Sequence, residues 1–320
     1  MHYGYYPGCS MTNTARPYEV STRAIAGELG LVFDEVEDWN CCGATEYMAL
    51  NKTAAYALIG RNLALAEQEG MKELVAPCSA CYLNLRKTDY YMKKYKPLAK
   101  ATNEALAAGG LHYKPGSLVV RHLLDVVVED VGYDAISAKV TRPLTGLRVA
   151  PYYGCLIVRP ELDGTPSKNT EYPTHLDHLM EVLGAEVVDF PLKTHCCGGH
   201  MTQISADTAY ELIRRLLQNA ADYKADMLVT LCPMCQFNLD AYQSQVNRHF
   251  GTDFKLPVLY FTQMIGLAMG LEPKELAIGR EITSAADVLR KIGTTVEIEE
   301  APPRRKRDDK SLPMPRIREG

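Results

Sequence analysis

The segment Cys78-Ser79-Ala80-Cys81-Tyr82-Leu83-Asn84-Leu85 is answered later in the chain by Cys232-Pro233-Met234-Cys235-Gln236-Phe237-Asn238-Leu239. In both, a Cys-x-x-Cys pair ends a short apolar run and leads into a stretch with helical spacing. Toward the N-terminus each pair is preceded by Cys-Cys-Gly, at Cys41-Cys42-Gly43 and at Cys196-Cys197-Gly198. Further back stands one more cysteine, Cys9 or Cys155. Its flank matches as well: Tyr5-Tyr6-Pro7-Gly8-Cys9 against Pro151-Tyr152-Tyr153-Gly154-Cys155. The offset between partners is 146 residues at the first cysteine and 154 or 155 at the other four, so one insertion of nine residues after Cys155 accounts for nearly all the difference. A repeat of this kind is a duplicated structural unit.

Within each unit, short β-like runs alternate with helical stretches. In the first unit the order is Tyr3–Tyr6, helix Glu19–Leu29, Leu31–Val36, helix Glu46–Glu69, Glu73–Ala76, helix Leu83–Lys94, and Leu118–Val131. In the second it is strand Leu147–Tyr153, helix Thr174–Leu183, strand Ala185–Phe190, helix Ser205–Tyr223, strand Asp226–Leu231, helix Asn238–Phe250, and strand Val258–Phe261 leading into a helix. This alternation predicts an α/β fold of two pseudo-symmetric duplicated units, each with a mostly parallel sheet flanked by helices. The expected organisation is a first unit over 1–140, a second over 141–275, an extension over 276–300 and a tail over 301–320. Cys9, Cys41–Cys42 and Cys78 each follow a predicted strand, as do their partners. The carboxyl ends of parallel strands share one edge of the sheet, so cysteines far apart in sequence are expected to converge there. Gly43 and Gly198 fit a tight turn or a close backbone approach beside them.

Composition narrows the class. The balance of 35 basic and 39 acidic residues leaves a formal charge of −4, which argues against nucleic acid as the main partner. No apolar run is long enough to span a bilayer, and the start of the chain has neither the basic nor the apolar region of a secretory signal. A reducing, cytoplasmic setting is therefore expected, where clustered thiols bind metal or do redox work. Five cysteines per unit with long gaps fit a four-ligand structural zinc site poorly, and an odd number fits a disulfide framework poorly. Iron–sulfur ligation takes cysteine thiolates readily, although an ordinary cubane needs only four.

The duplicated C-x31-CCG-x34-C-x2-C pattern resembles the CCG domain family, and within it the B subunit of heterodisulfide reductase. The likeness extends over residues 1 to about 270 and includes Arg159-Pro160 and Leu183-Gly184-Ala185-Glu186-Val187-Val188. It implies two noncubane 4Fe-4S clusters, one on Cys9, Cys41, Cys42, Cys78 and Cys81 and one on Cys155, Cys196, Cys197, Cys232 and Cys235. It implies a disulfide, such as the heterodisulfide of coenzymes M and B, cleaved to two thiols by paired one-electron steps. It also implies two partner proteins of a heterodisulfide reductase complex, a ferredoxin-like subunit and a flavin-containing subunit. The chain itself has no ferredoxin-type cysteine run and no G-x-G-x-x-G dinucleotide fingerprint, so electrons must be exchanged with another subunit. Relatives in the family implied by the same motifs serve sulfur-oxidising complexes acting on a protein-bound thiol, or quinone-linked and organic-acid oxidoreductases. A non-catalytic electron relay is the reading from another class.

Around the second motif, His195 and His200 are candidate proton donors to product thiols. Lys193, Arg159 and Arg16 could attract an anionic substrate. The inserted loop Glu161–Pro173 reads as irregular and could cover the substrate or dock a partner. The tail, with Pro302, Pro303, Pro313 and Pro315 and the run Arg304-Arg305-Lys306-Arg307, is expected to be disordered on its own.

Overall fold

The computed structural model of the protein describes residues 1–44, 47–162 and 169–294. The chain begins with strand β1 (His2–Tyr5), helix α1 (Arg16–Glu28), β2 (Val32–Glu35), α2 (Tyr47–Leu50), α3 (Lys52–Gln68), β3 (Glu73–Ala76), α4 (Ser79–Lys94), α5 (Lys96–Ala107) and β4 (Val119–His122). A turn of helix, α6 (Leu123–Asp125), passes into a π-helical stretch over Val126–Gly132 and then α7 (Tyr133–Ser137). The second half repeats the plan: β5 (Arg148–Tyr152), α8 (His175–Val182), β6 (Glu186–Val187), α9 (Met201–Ile204), α10 (Ala206–Asp222), β7 (Met227–Thr230), α11 (Pro233–Ala241), α12 (Gln243–Phe250), β8 (Val258–Tyr260) and α13 (Phe261–Ala268), with α14 (Ala286–Leu289) after it. Among the described residues no helix is long and apolar enough to cross a membrane.

The strands form two four-stranded sheets ordered β2-β1-β3-β4 and β6-β5-β7-β8, and every pairing is parallel. The α/β duplication expected from the repeat is thus present, with the same strand order in both halves. In each sheet the order reverses direction between the first and third strands, at β1/β3 and β5/β7. Such a switch point opens a crevice at the carboxyl ends of the strands. Cys9 and Cys78 follow the two strands on either side of the first switch, and Cys155 and Cys232 those of the second.

Several element boundaries differ from the sequence expectation. The helix foreseen over 46–69 is divided at Asn51, whose side chain accepts a bond from the amide of Ala54 (3.0 Å) and caps α3. The strand foreseen over 185–190 is ladder-paired only at Glu186–Val187, because the chain then turns to bury Val188 and Phe190. The helices placed after each Cys-x-x-Cys begin inside it. Cys78 and Cys232 are N-cap residues, and Pro233 takes the first helical position, where its missing N–H costs nothing.

The two halves share their apolar cores. Tyr5, Leu29 and Phe33 from the first half belong to one contiguous buried cluster with Val149, Leu179, Met264 and Ile265 from the second. Helices α1 and α13 carry this seam. Tyr18 stacks on Tyr260 with ring centroids 4.3 Å apart and an interplanar angle of 8°, and Ser21 and Thr262 share a hydroxyl hydrogen bond of 2.6 Å. Residues after α13 wrap the second half, where the amides of Ile282 and Thr283 donate to Asp240. Phe261 is fully buried beside Tyr18, so Phe261→Ala should cost about 3–5 kcal/mol. Trp39, the single tryptophan, lies in the first half. Denaturant unfolding followed by its fluorescence should therefore shift with this second-half substitution, and an unmoved midpoint would show that the halves unfold separately.

Candidate iron–sulfur site

All ten cysteines are free thiols. Cys42, Cys78, Cys81, Cys197, Cys232 and Cys235 are buried in one shared apolar cluster with Ile59, Leu85, Phe190 and Leu228. Cys9, Cys41 and Cys196 are exposed, and Cys155 is half-buried. Within each set the thiols touch. The Sγ atoms of Cys9 and Cys41 are 3.8 Å apart, Cys42 is hydrogen-bonded to Cys41 and Cys81, and Cys81 to Cys78. The second set repeats these links, with Cys196 bonded to Cys155 and Cys197, and Cys235 to Cys197 and Cys232. All ten sequence-predicted ligands are therefore brought together, in two sets of five.

This packing decides the charges. Hydrogen bonds from Cys42 and Cys9 hold the Cys41 thiol down to about 2, and those from Cys155 and Cys197 do the same for Cys196. The donors move the other way: Cys42 is pushed up to about 12 by its bond to Cys41, and Cys197 to about 12 by its bond to Cys196. Cys232 is lowered by bonds from Cys235 and Cys78 and by amides at the start of α11, as expected for a thiolate at a helix N-terminus. The remaining thiols are raised by giving their protons to these neighbours and by burial. The chain alone thus stabilises only a few thiolates. A cationic centre that ionises its ligands would relieve the rest, and a cluster of irons taking all-thiolate ligands suits this donor set.

The backbone leaves room at matching places. A Cβ on Gly8 would lie 2.8 Å from the Sγ of Cys81, and one on Gly154 would lie 2.9 Å from the Sγ of Cys235. Both glycines have left-handed φ, +75° and +68°. Gly43 and Gly198 also have positive φ, but an added Cβ would meet Leu58 or Ala209 rather than a sulfur. Their role is the turn, and the close approach belongs to Gly8 and Gly154.

Two side chains per half that the cysteine spacing does not reveal hold the Cys-Cys loops. The hydroxyl of Tyr6 donates to the carbonyl of Asn40 (2.7 Å), and that of Tyr152 to the carbonyl of His195 (2.6 Å). The amide of Asn84 donates to the carbonyl of Cys42 (3.0 Å). That of Asn238 donates to the carbonyls of Cys197 (3.1 Å) and Gly199 (2.9 Å). Each Cys-Cys pair is thus pinned at the residue before it and at its second cysteine. The duplicated flanks carried the signal, since Tyr6 and Tyr152, and Asn84 and Asn238, occupy equivalent positions.

His195 is exposed and His200 half-buried, both flanking the second Cys-Cys-Gly turn. Lys193 is not a free surface cation. It is buried, its Nζ 2.8 Å from Asp177 Oδ1 and 3.7 Å from the centre of the Tyr172 ring. Asp177 is held in turn by the hydroxyl of Tyr153. The carbonyl of Lys193 accepts bonds from the amides of Tyr153 and Gly154 (2.9 and 3.1 Å) and so anchors the Cys155 arm. Arg159 pairs with Glu171 at 3.4 Å, and Arg16 is exposed beside Lys274 and Arg280. In the inserted loop, residues 163–168 lie outside the described residues, as does the tail; the described part brings Tyr172 over Lys193.

Two outcomes test this geometry. Gly8→Ala and Gly154→Ala each impose about 1–2 kcal/mol of backbone strain and press on a ligand sulfur. Each should lower iron and sulfide in the set it touches and leave the other set loaded. Gly27→Ala, with nothing within 4 Å of the new methyl, should load normally. In metal-free protein at pH 7, Cys41 and Cys196 are exposed and ionised, so iodoacetamide should label them first and Cys42 and Cys197 late, read by peptide mass spectrometry.

The pattern of the CCG cysteine-rich domain family matches residues 3–86 and 149–240. The chain is 34% identical over 283 residues to the 8-methylmenaquinol:fumarate reductase membrane anchor subunit of Wolinella succinogenes, covering 88% of this chain and 97% of that one. It is 31% identical over 290 residues to the B subunit of the ferredoxin/F(420)H(2)-dependent CoB-CoM heterodisulfide reductase of Methanosarcina acetivorans, covering 90% and 95%. Among solved structures, a hypothetical protein from Helicobacter pylori superposes with a TM-score of 0.69 at 13% identity, covering 88% of this chain; the chain spans about half that protein's length, 52%. That likeness concerns the fold alone. With both cysteine motifs complete and matched along nearly the whole length of the sequence relatives, the chain belongs to the CCG cysteine-rich domain family, as a two-motif relative of the heterodisulfide reductase B subunits.

Proposed function

We propose that the chain is the catalytic iron–sulfur subunit of a disulfide-reductase complex, with one noncubane 4Fe-4S cluster on each set of five cysteines. The observation that carries this reading is the pair of complete, equivalent ligand sets meeting at one seam. Disulfide cleavage takes two electrons, and a bound iron–sulfur cluster supplies them singly, so two equivalent sites match the stoichiometry of two thiol products. The chain's residues then have separate tasks. Tyr6, Tyr152, Asn84 and Asn238 fix the Cys-Cys loops, and the glycines Gly8 and Gly154 admit the sulfurs. In this reading His195 and His200, which flank the second Cys-Cys-Gly turn, are the proton donors to departing thiolates. A cavity between the halves is walled by Tyr82, Arg86 and Asp125 from the first and Tyr153, Ile157 and His175 from the second; none of the ten cysteines lines it, although Tyr82 follows Cys81 and Tyr153 precedes Cys155 by two residues in the chain. The substrate is a disulfide of the coenzyme M–coenzyme B kind. Electrons come through a ferredoxin-like subunit and a flavin-containing subunit in the cytoplasm, since the chain has no nucleotide fingerprint of its own.

A second reading is favoured by one observation, the 34% identity to a fumarate reductase anchor subunit. In it the same two clusters relay electrons between a quinol and an organic acid without touching a disulfide. Reduced viologen with the fully loaded protein separates the two. Disulfide-dependent viologen oxidation that is lost in Cys41→Ala and in Cys196→Ala is the expected result. Full loading by iron and sulfide analysis without disulfide turnover favours the relay, and loading of only one set sinks the paired-cluster reading itself.

A further inference from the structure

The two ligand sets are not merely neighbours. Cys78 and Cys232, the first cysteines of the two Cys-x-x-Cys pairs, are both buried and face each other across the seam, close enough for each thiol to shift the other's ionisation. They occupy equivalent positions in the two repeats, so this pairing lies on the local twofold relation. The peptide just before each is tied to the same atom. The hydroxyl of Tyr18 lies 3.1 Å from the carbonyl of Pro77 and 3.3 Å from the carbonyl of Leu231. Pro77 and Leu231 are again equivalent positions, one before each cysteine. Tyr18 is fully buried on α1 and cannot swing away, since its ring is stacked on Tyr260, at the end of β8. Cys9, Cys41 and Cys196, by contrast, are exposed to solvent.

We propose that the Cys78–Cys232 pair, held in register by the hydroxyl of Tyr18, joins the two ligand sets into one electronically coupled centre. Tyr18 is a positioning residue in this arrangement: it touches neither iron nor substrate, and acts through the backbone carbonyls that set where the two sulfurs stand. The physical reason is proximity. Ligand sulfurs carry unpaired spin density from their metal, and two such buried sulfurs facing each other across the seam give a through-space path between the sets. The inference rests on both sets holding clusters, as proposed above, and does not depend on which substrate is reduced.

The test is electron paramagnetic resonance on the full chain, loaded and checked for iron and sulfide, poised where both centres carry an unpaired spin. Recording at two microwave frequencies separates the effects, because a spin–spin splitting is constant in field while g-anisotropy scales with frequency. A field-constant splitting, absent from Cys41→Ala/Cys42→Ala protein that keeps only the second centre, is the expected result. A fully loaded wild type that gives only the sum of two independent signals overturns the proposal. Tyr18→Phe keeps the stack and removes the shared hydroxyl. It should load both sets and change the splitting, and an unchanged splitting at full loading overturns the role of Tyr18. Incomplete loading of the wild type, visible in the iron analysis, is instead a failure of the two-cluster reading.

Discussion

The rest of the structure depends on one electrostatic constraint: five thiols per half must be crowded together although a protein interior tolerates few of them as thiolates. A buried negative charge is costly unless hydrogen-bonded or paired. The chain handles this by letting thiols donate to one another, so that Cys41, Cys196 and Cys232 are lowered at the expense of their neighbours. At the start of α11 the amides of Met234 and Cys235 add to this at the sulfur of Cys232. Such a half-ionised nest is poised for a cationic centre, and the formal charge of −4 counts none of the ligand thiolates it would create.

The parallel sheet is the means of crowding. Three of the four strands in each sheet deliver a cysteine arm to the same edge, and the switch point between the first and third strands leaves the crevice into which those arms turn. Duplication then places two such edges against each other. The halves are not beads on a string, because α1 and α13 cross the seam and the cores are continuous. What the duplication preserves is the ligand sets and their immediate ties, Tyr6 with Tyr152 and Asn84 with Asn238. What it does not preserve is the surrounding charge. Where the second half buries Lys193 against Asp177, the equivalent residue of the first is Asp38, paired with Arg61 on α3. Asn40 stands where the second half has His195. Equivalent cysteine sets in unequal surroundings would give centres bound there distinct potentials.

Much of the fold and site was legible in the sequence, and the limits have physical causes. The repeat, the α/β alternation and the two sets of five cysteines could be read because cysteine spacing and strand-helix periodicity are local properties. The boundaries differ where a side-chain contact outranked periodicity. Asn51 caps a helix that looked continuous, and the buried turn at Val188 and Phe190 ends a strand early. Lys193 is the clearest departure, because a lysine three residues from a cysteine reads as a surface charge. Only the packed structure brings Asp177 and Tyr172 to it, from a helix and a loop well before it in the chain.

By itself, then, the sequence determined which cysteines belong together, that they come in two equivalent sets, and that each set gathers at one sheet edge. Those follow from residue identity and from backbone periodicity, which no tertiary contact can change. Only the tertiary structure decided how the sets face one another: that Cys78 lies opposite Cys232, that Tyr18 spans the carbonyls before both, and that Cys9, Cys41 and Cys196 are left to solvent. The physical reason is that the seam is made by side chains from opposite halves. Its geometry depends on how two cores interlock, and that is not written in the spacing of either motif.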